Sequence, residues 1–180
     1  GLGWIRIMYA YPTQMTDELL DTIAKLDKVV KYVDIPLQHS HPEMLEMMNR
    51  PAFDYRPMIE NIRKRIPNVS IRTAFIVGYP GETEEMFEHL CNFVRDMKFD
   101  RMGVFTYSRE KGTPSYNMPN RIGARVAKSR YKKLMEIQQG ISIERNRSFI
   151  GKNHCLVAGS RVKLSRAFQL FKHLRTVNAC

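Results

Sequence analysis

The chain has 180 residues, 43% of them hydrophobic, and a formal charge of +11 from 29 Lys and Arg set against 18 Asp and Glu. That length holds one domain with a sizeable core, or one domain and a piece of another. No apolar run is long enough to span a bilayer, and the first residues read as a strand rather than a signal peptide, so the expectation is a soluble, cytoplasmic protein with no membrane partner.

In chain order, Trp4–Tyr9 (WIRIMY) is an aromatic and β-branched run that predicts a strand, with Pro12 closing the loop behind it. Thr16 suits the N-cap of a helix over DELLDTIAKL, with Asp17 and Glu18 in the first turn, where the helix dipole favours acids. Leu19, Leu20, Ile23 and Leu26 form its apolar stripe. Val29–Ile35 predicts a second strand, stopped by Pro36, which has no N–H for a ladder. Pro42 opens a short helix over Glu43–Met48 that packs Met44, Leu45 and Met48 into the core. Asp54 caps a helix with the stripe Met58, Ile59, Ile62 and Ile66, ended by Pro67.

Ser70–Val77 is the third strand. Thr83 caps the next helix, with Glu84 and Glu85 at its positive end and Met86, Phe87, Leu90, Phe93, Val94 and Met97 on its buried face. Arg101–Tyr107 is the fourth strand, and 108–120 (SREKGTPSYNMPN) is a loop. A long helix from about Ile122 to Arg147 sets Val126, Leu134, Ile137 and Ile141 against a basic face of Arg125, Lys128, Lys132 and Lys133. Gly140 inside it costs about 1 kcal/mol relative to Ala, a point where the helix is expected to bend or weaken. Strands that alternate with crossover helices predict a parallel sheet, consistent with the near-continuous apolar run AFIVG.

The charge is uneven. Residues 145–180 carry eight Lys or Arg and no acid, which leaves +3 on the preceding 144. Such a tail attracts RNA or anionic surfaces, or is simply a solvated or non-native extension. The three cysteines, Cys91, Cys155 and Cys180, show no C-x-x-C spacing, and Cys91 falls on the apolar side of a helix.

Ligands of parallel α/β sheets sit at the carboxyl ends of the strands. Here those ends are Tyr9–Pro12, Leu37–His41, Val77–Glu82 and Tyr107–Arg109, all polar or aromatic. Gly78 lets backbone approach a ligand closely or adopt a conformation closed to residues with a Cβ, and Pro80-Gly81 forces a tight turn. The segment is neither G-x-G-x-x-G nor a P-loop, so an adenine lying flat on the strand end fits better than a phosphate, and an ordinary βα turn is the simpler alternative. Gln38, His39 and His41 form a weak metal signal and suit loop hydrogen bonding at least as well. Arg72 inside an apolar run either faces solvent or forms a salt bridge in the interior, where a ligand carboxylate is a fitting partner. No Ser-His-Asp, Cys-His or paired-carboxylate arrangement is found, and no catalytic residue is assigned.

The blocks WIRIMYAYPTQMTDELL, DKVVKYVDIPLQH, IRTAFIVGYPGETEEMFEHL and FDRMGVFTYSREKGTPSYNMP resemble the radical S-adenosylmethionine methylthiotransferases. DIPLQH together with GVFTYSREKGTP is most similar to the RimO type, which methylthiolates an aspartate of a small-subunit ribosomal protein; the MiaB type, which modifies tRNA, is the alternative. The resemblance implies an α/β fold, the distal four strands of a partial TIM-like (βα) barrel of the radical SAM class, followed by a long helix and the start of a TRAM-like domain. It implies S-adenosylmethionine and two [4Fe-4S] clusters as cofactors. Ile76, Val77 and Gly78 would lie against adenine, Gln38 and Arg72 would contact the ribose or the methionine end, and Tyr107 would complete the site.

The family's C-x-x-x-C-x-x-C cluster loop does not occur here, so the chain reads as beginning at the third barrel strand, with the missing N-terminal part of the same polypeptide as its partner. The implied organisation is a barrel portion over 1–120, a linking helix over 121–150, and an incomplete TRAM-like segment or non-native tail over 151–180. A first strand with one edge unpaired predicts poor solubility or oligomerisation, and no activity, for this polypeptide alone. A basic RNA-binding module without catalysis is the competing reading.

Overall fold

The computed structural model describes residues 3–150. The expectations for 151–180, TRAM-like or otherwise, lie outside the described residues. The chain divides into two compact units, Gly1–Ile143 and Glu144–Cys180, and the sheet with its crossover helices belongs to the first.

Four strands, β1 (Ile5–Ile7), β2 (Val29–Asp34), β3 (Ser70–Val77) and β4 (Arg101–Thr106), form one parallel sheet in the order β1-β2-β3-β4. The connections carry helices α1 (Asp17–Lys25), α2 (Pro42–Met47), α3 (Arg56–Arg65) and α4 (Glu84–Met97), and α5 (Ala124–Ser148) follows β4. Consecutive parallel neighbours joined by crossover helices are what a segment of a (βα) barrel requires. β1 is shorter than its apolar run, and its register with β2 shifts between Ile5 and Ile7.

The helix starts follow local chemistry. The hydroxyls of Thr16 and Thr83 accept from the N–H groups of Leu19 and Met86, at 3.3 and 3.2 Å, each with two acids in the following turn. Asp54 works from one position further out than expected. Tyr55 occupies the N-cap of α3, and Asp54 Oδ1 accepts from the N–H of Arg56. Pro36 ends β2 as expected, but the ladder resumes beyond it. Gln38 takes a bond from Ile76 N–H and donates to Ala74 O, both at 2.9 Å.

The core lies between the sheet and its helices. β3 alternates strictly, with Ile71, Thr73, Phe75 and Val77 buried and Ser70, Arg72, Ala74 and Ile76 half-buried on the other face. Phe75, Phe93 and Phe99 pack edge-on or tilted at centroid separations near 6 Å (5.9–6.3 Å), a geometry suited to aromatic quadrupoles. Cys91 is buried beside them, and burial raises its thiol to about 11, which makes it an inert core residue.

The buried face of α5 differs from the apolar stripe expected of it. It consists of Ala127, Arg130, Leu134, Gln138 and Ile141, while Val126 is exposed. Two polar side chains are buried there because each has a partner waiting: Arg130 meets Glu82, and the amide of Gln138 donates to Phe99 O at 2.9 Å. α5 also runs through Gly140 uninterrupted.

Candidate site at the carboxyl ends of the strands

The face of the sheet turned away from the helices is polar. In register, Asp34 pairs with Arg72 and Arg72 with Arg101, so the three side chains share that face. Asp34 is 1% exposed and accepts from Arg72 Nη1 at 2.8 Å, and this bond holds the Arg72 proton more tightly than usual. The Arg6 guanidinium lies 4.6 Å from the Tyr32 ring centroid. With one buried carboxylate paired to Arg72, and Arg101 in register beside Arg72, this face is cationic and able to receive a carboxylate.

The strand tips are organised by Glu82, which lies between the Pro80-Gly81 turn and the Thr83 cap. Its carboxylate is buried and accepts from Gly78 N–H (2.6 Å), Arg130 Nη1 (2.7 Å) and His39 Nε2 (3.3 Å). Its carbonyl accepts from the same Arg130 nitrogen at 2.9 Å. His39 Nδ1 takes the N–H of His41 at 3.0 Å, which leaves the proton on Nε2, pointed at Glu82. Burial pushes the His39 pKa below its ordinary value despite the neighbouring carboxylate. Glu82, bonded to a neutral His39 on one side and to Arg130 on the other, therefore pins β3, the loop after β2, and α5 together.

This explains the glycine. Gly78 has φ +76°, a left-handed conformation, and a Cβ there would stand 2.6 Å from the Ala127 Cβ. Gly78 thus admits α5 to the tip of β3. Its N–H is consumed by Glu82, and Val77 O accepts from Tyr107 N–H at 2.9 Å. A flat ring at this tip would meet backbone that is already largely hydrogen-bonded, so it would be held by contact and shape.

Of the six residues expected to bind the cofactor, five gather here. Gln38 is left-handed (φ +71°) and bonded directly beside Ile76, and Val77, Gly78 and Tyr107 complete the tip. The Val77 side chain is fully buried toward the helices, so only its backbone faces the opening. Arg72 stands apart, on the same face as Ile76 but four residues back, about 13 Å along the strand at 3.3 Å per residue. The Tyr107 hydroxyl is buried without a hydrogen-bond partner among the described residues, and its ring meets Tyr79 edge-on at 5.1 Å. That orphaned hydroxyl, the half-buried Gln38 amide and the Arg72 guanidinium are the donors an adenosyl amino acid requires, so the residues present fit S-adenosylmethionine.

A cluster is a different matter. Among the described residues no group of three or more His, Cys, Asp or Glu could hold a metal, and Cys91 is the only free thiol, buried in the core. The described residues do not fit an iron–sulfur cluster.

Glu82 and Arg130 do not stand out from local sequence pattern. Asp34 carried a signal, an acid at the end of a strand and in register with another oddity, Arg72. Glu82 was hidden among the acids of a helix start, and Arg130 in a helix rich in Lys and Arg.

Parallel βα units whose polar groups converge on the strand tips define an α/β-barrel class of enzyme. The chain belongs to the radical SAM superfamily, whose family model matches residues 1–94. It is similar to the ribosomal protein uS12 methylthiotransferase RimO of Carboxydothermus hydrogenoformans, 47% identical over 91% of this chain and 38% of that protein. The RimO of Synechococcus sp. (strain RCC307) is 50% identical over 84% of this chain and 31% of that protein. The chain thus spans about a third of the length of these curated relatives. Among solved structures, coproporphyrinogen III oxidase (HemN) from Escherichia coli, a radical SAM enzyme, superposes with a TM-score of 0.50 at 20% identity, covering 82% of this chain and 34% of that one. Among the described residues no helix is long and apolar enough to cross a membrane.

Proposed function

We propose that the chain is the cofactor-holding distal portion of a cytoplasmic radical SAM methylthiotransferase of the RimO type, whose substrate is an aspartate of the small-subunit ribosomal protein uS12. The observation that carries this reading is the identity of 47–50% with RimO proteins across 84–91% of the chain. In this reading S-adenosylmethionine supplies the radical precursor and the methyl group, and the clusters are held by a further part of the polypeptide. The chain's own residues bind and orient. Gln38 and the Ile76–Gly78 tip receive the adenosine, Tyr107 Oη offers the unused hydroxyl, and Arg72, charged and steadied by Asp34, faces the carboxylate. Residues 1–120 form the barrel portion and 121–150 the linking helix.

The test is expression of the full-length protein containing this sequence in cells that lack the activity, followed by mass spectrometry of uS12. A gain corresponding to a methylthio group in place of hydrogen on one aspartate is expected. Modification of tRNA adenosine instead, with uS12 unchanged, would overturn the reading in favour of the MiaB type.

A further inference from the structure

An opening lies at the β3 and β4 tips, beside the residues of the cofactor site. It is a cleft of about 560 Å³ between the ends of those strands, the loop after β4 and the first turns of α5. Its cations are Arg109, Arg121 and Lys128, its aromatic rings Tyr107 and Tyr131, and no Asp or Glu lines it.

The cations of α5 sort by side. Arg130 and Lys133, which turn toward α4, are neutralised by Glu82, Glu84 and Glu88. Lys128 and the nearby Arg121 have no ion-pair partner among the described residues and face the cleft. Arg109 is held flat, its Nε donating to Tyr116 O at 2.8 Å and its guanidinium 3.7 Å from the Tyr116 ring centroid. The α5 cations packed toward α4 are thus paired; Arg125 and Lys132 are exposed elsewhere on the helix, and Lys128, with Arg121 just ahead of the helix, lines a cavity with aromatic walls. Unneutralised Lys and Arg beside partly exposed rings are the elements that bind single-stranded nucleic acid, the cations taking phosphates and the rings stacking bases.

We propose that this cleft binds a single-stranded RNA segment, with Arg121 and Lys128 on its phosphodiester backbone and Tyr131, 37% exposed, stacking a base. An acidic peptide would satisfy the cations but leave the tyrosines unused. The cleft adjoins the cofactor site, with which it shares Gly78 and Tyr107, while the cations and the stacking ring of the proposal, Arg121, Lys128 and Tyr131, lie outside that site. RNA binding here is compatible with the activity proposed above, since a ribosomal protein is presented among RNA strands.

The experiment is fluorescence anisotropy of the full-length protein containing this sequence with a labelled single-stranded RNA 12-mer of mixed sequence, across a salt series. R121A/K128A is expected to weaken binding and to reduce the salt slope by about two, one unit for each phosphate no longer neutralised. Y131A should weaken binding about tenfold while leaving the salt slope unchanged. K25A/K64A, which removes the same charge from exposed positions on α1 and α3, should change neither. All these side chains are at the surface, and circular dichroism confirms that each variant folds. Equal weakening by K25A/K64A, undiminished binding by R121A/K128A, or competition by poly-glutamate as strong as that by unlabelled RNA would each overturn the proposal. None of these readouts involves uS12 modification, so this proposal and the enzymatic reading fail separately.

Discussion

The two faces of β3 obey opposite rules. Toward the helices, Ile71, Phe75 and Val77 are completely buried, and even the polar residue between them, Thr73, is 0% exposed, its hydroxyl accepting from Leu37 N–H. Toward the open side, Arg72, Ala74 and Ile76 remain half-buried, in register with Arg101, Gly103 and the 58%-exposed Phe105. One strand therefore carries both the stability of the domain and the surface left for a ligand. Substitutions on one face should move stability, and those on the other should move binding.

The sharpest test of this difference is Phe75→Ala against Phe105→Ala. The first opens a cavity in an aromatic cluster and should cost about 3–5 kcal/mol. The second, at an exposed position, should stay within about 0.5 kcal/mol. Equal midpoint shifts in urea unfolding would abolish the distinction between the faces. Glu82→Gln is comparable in size to the first. It keeps the shape but leaves the buried Arg130 with only the exposed Glu84 as an ion-pair partner, for an expected loss of about 3 kcal/mol, measured the same way. Gly78→Ala combines left-handed strain of about 1–2 kcal/mol with overpacking against Ala127 of about 1–3 kcal/mol. A drop in helical circular dichroism at lower denaturant would report the release of α5.

Arg72→Met is milder in stability and larger in binding. It orphans the Asp34 carboxylate at a cost of about 1–3 kcal/mol. In the full-length protein it should weaken S-adenosylmethionine binding measured by calorimetry, whereas Val77→Ile should leave that affinity nearly unchanged. The smallest effect is set by pH. His39 is held below its ordinary pKa of 6.5 in the folded state, and burial shifts His89 the same way. Below pH 6.5 the unfolded chain takes up protons that the native state refuses. Stability should therefore fall as pH drops from 6.5 toward the folded pKa values, and these histidines should add no slope above it. His39→Gln should flatten that limb of a urea-midpoint profile between pH 7.5 and 5.5.

Much of the frame was legible beforehand. Ser70–Val77 is bounded by the turn chemistry on either side, and Thr16 and Thr83 are caps whose partners lie three residues away. The strand tips could be assigned as a site because a parallel βα order admits one such end. The polar face of α5 was not legible. Hydrophobic periodicity assigns Val126 to the core and leaves Arg130 and Gln138 outside it, and only the presence of Glu82 and of Phe99 O reverses that.

By itself the sequence determined the order and direction of the strands, the helix starts and the tight turn after β3, because caps, turns and period-two alternation act within a few residues. Only the tertiary structure decided that Asp34 would steady Arg72, across 38 residues, or that Glu82 would gather His39 and Arg130, across 43 and 48. Such pairs follow from strand register and from how closely a helix can approach a glycine, and neither is written in any local stretch of the chain.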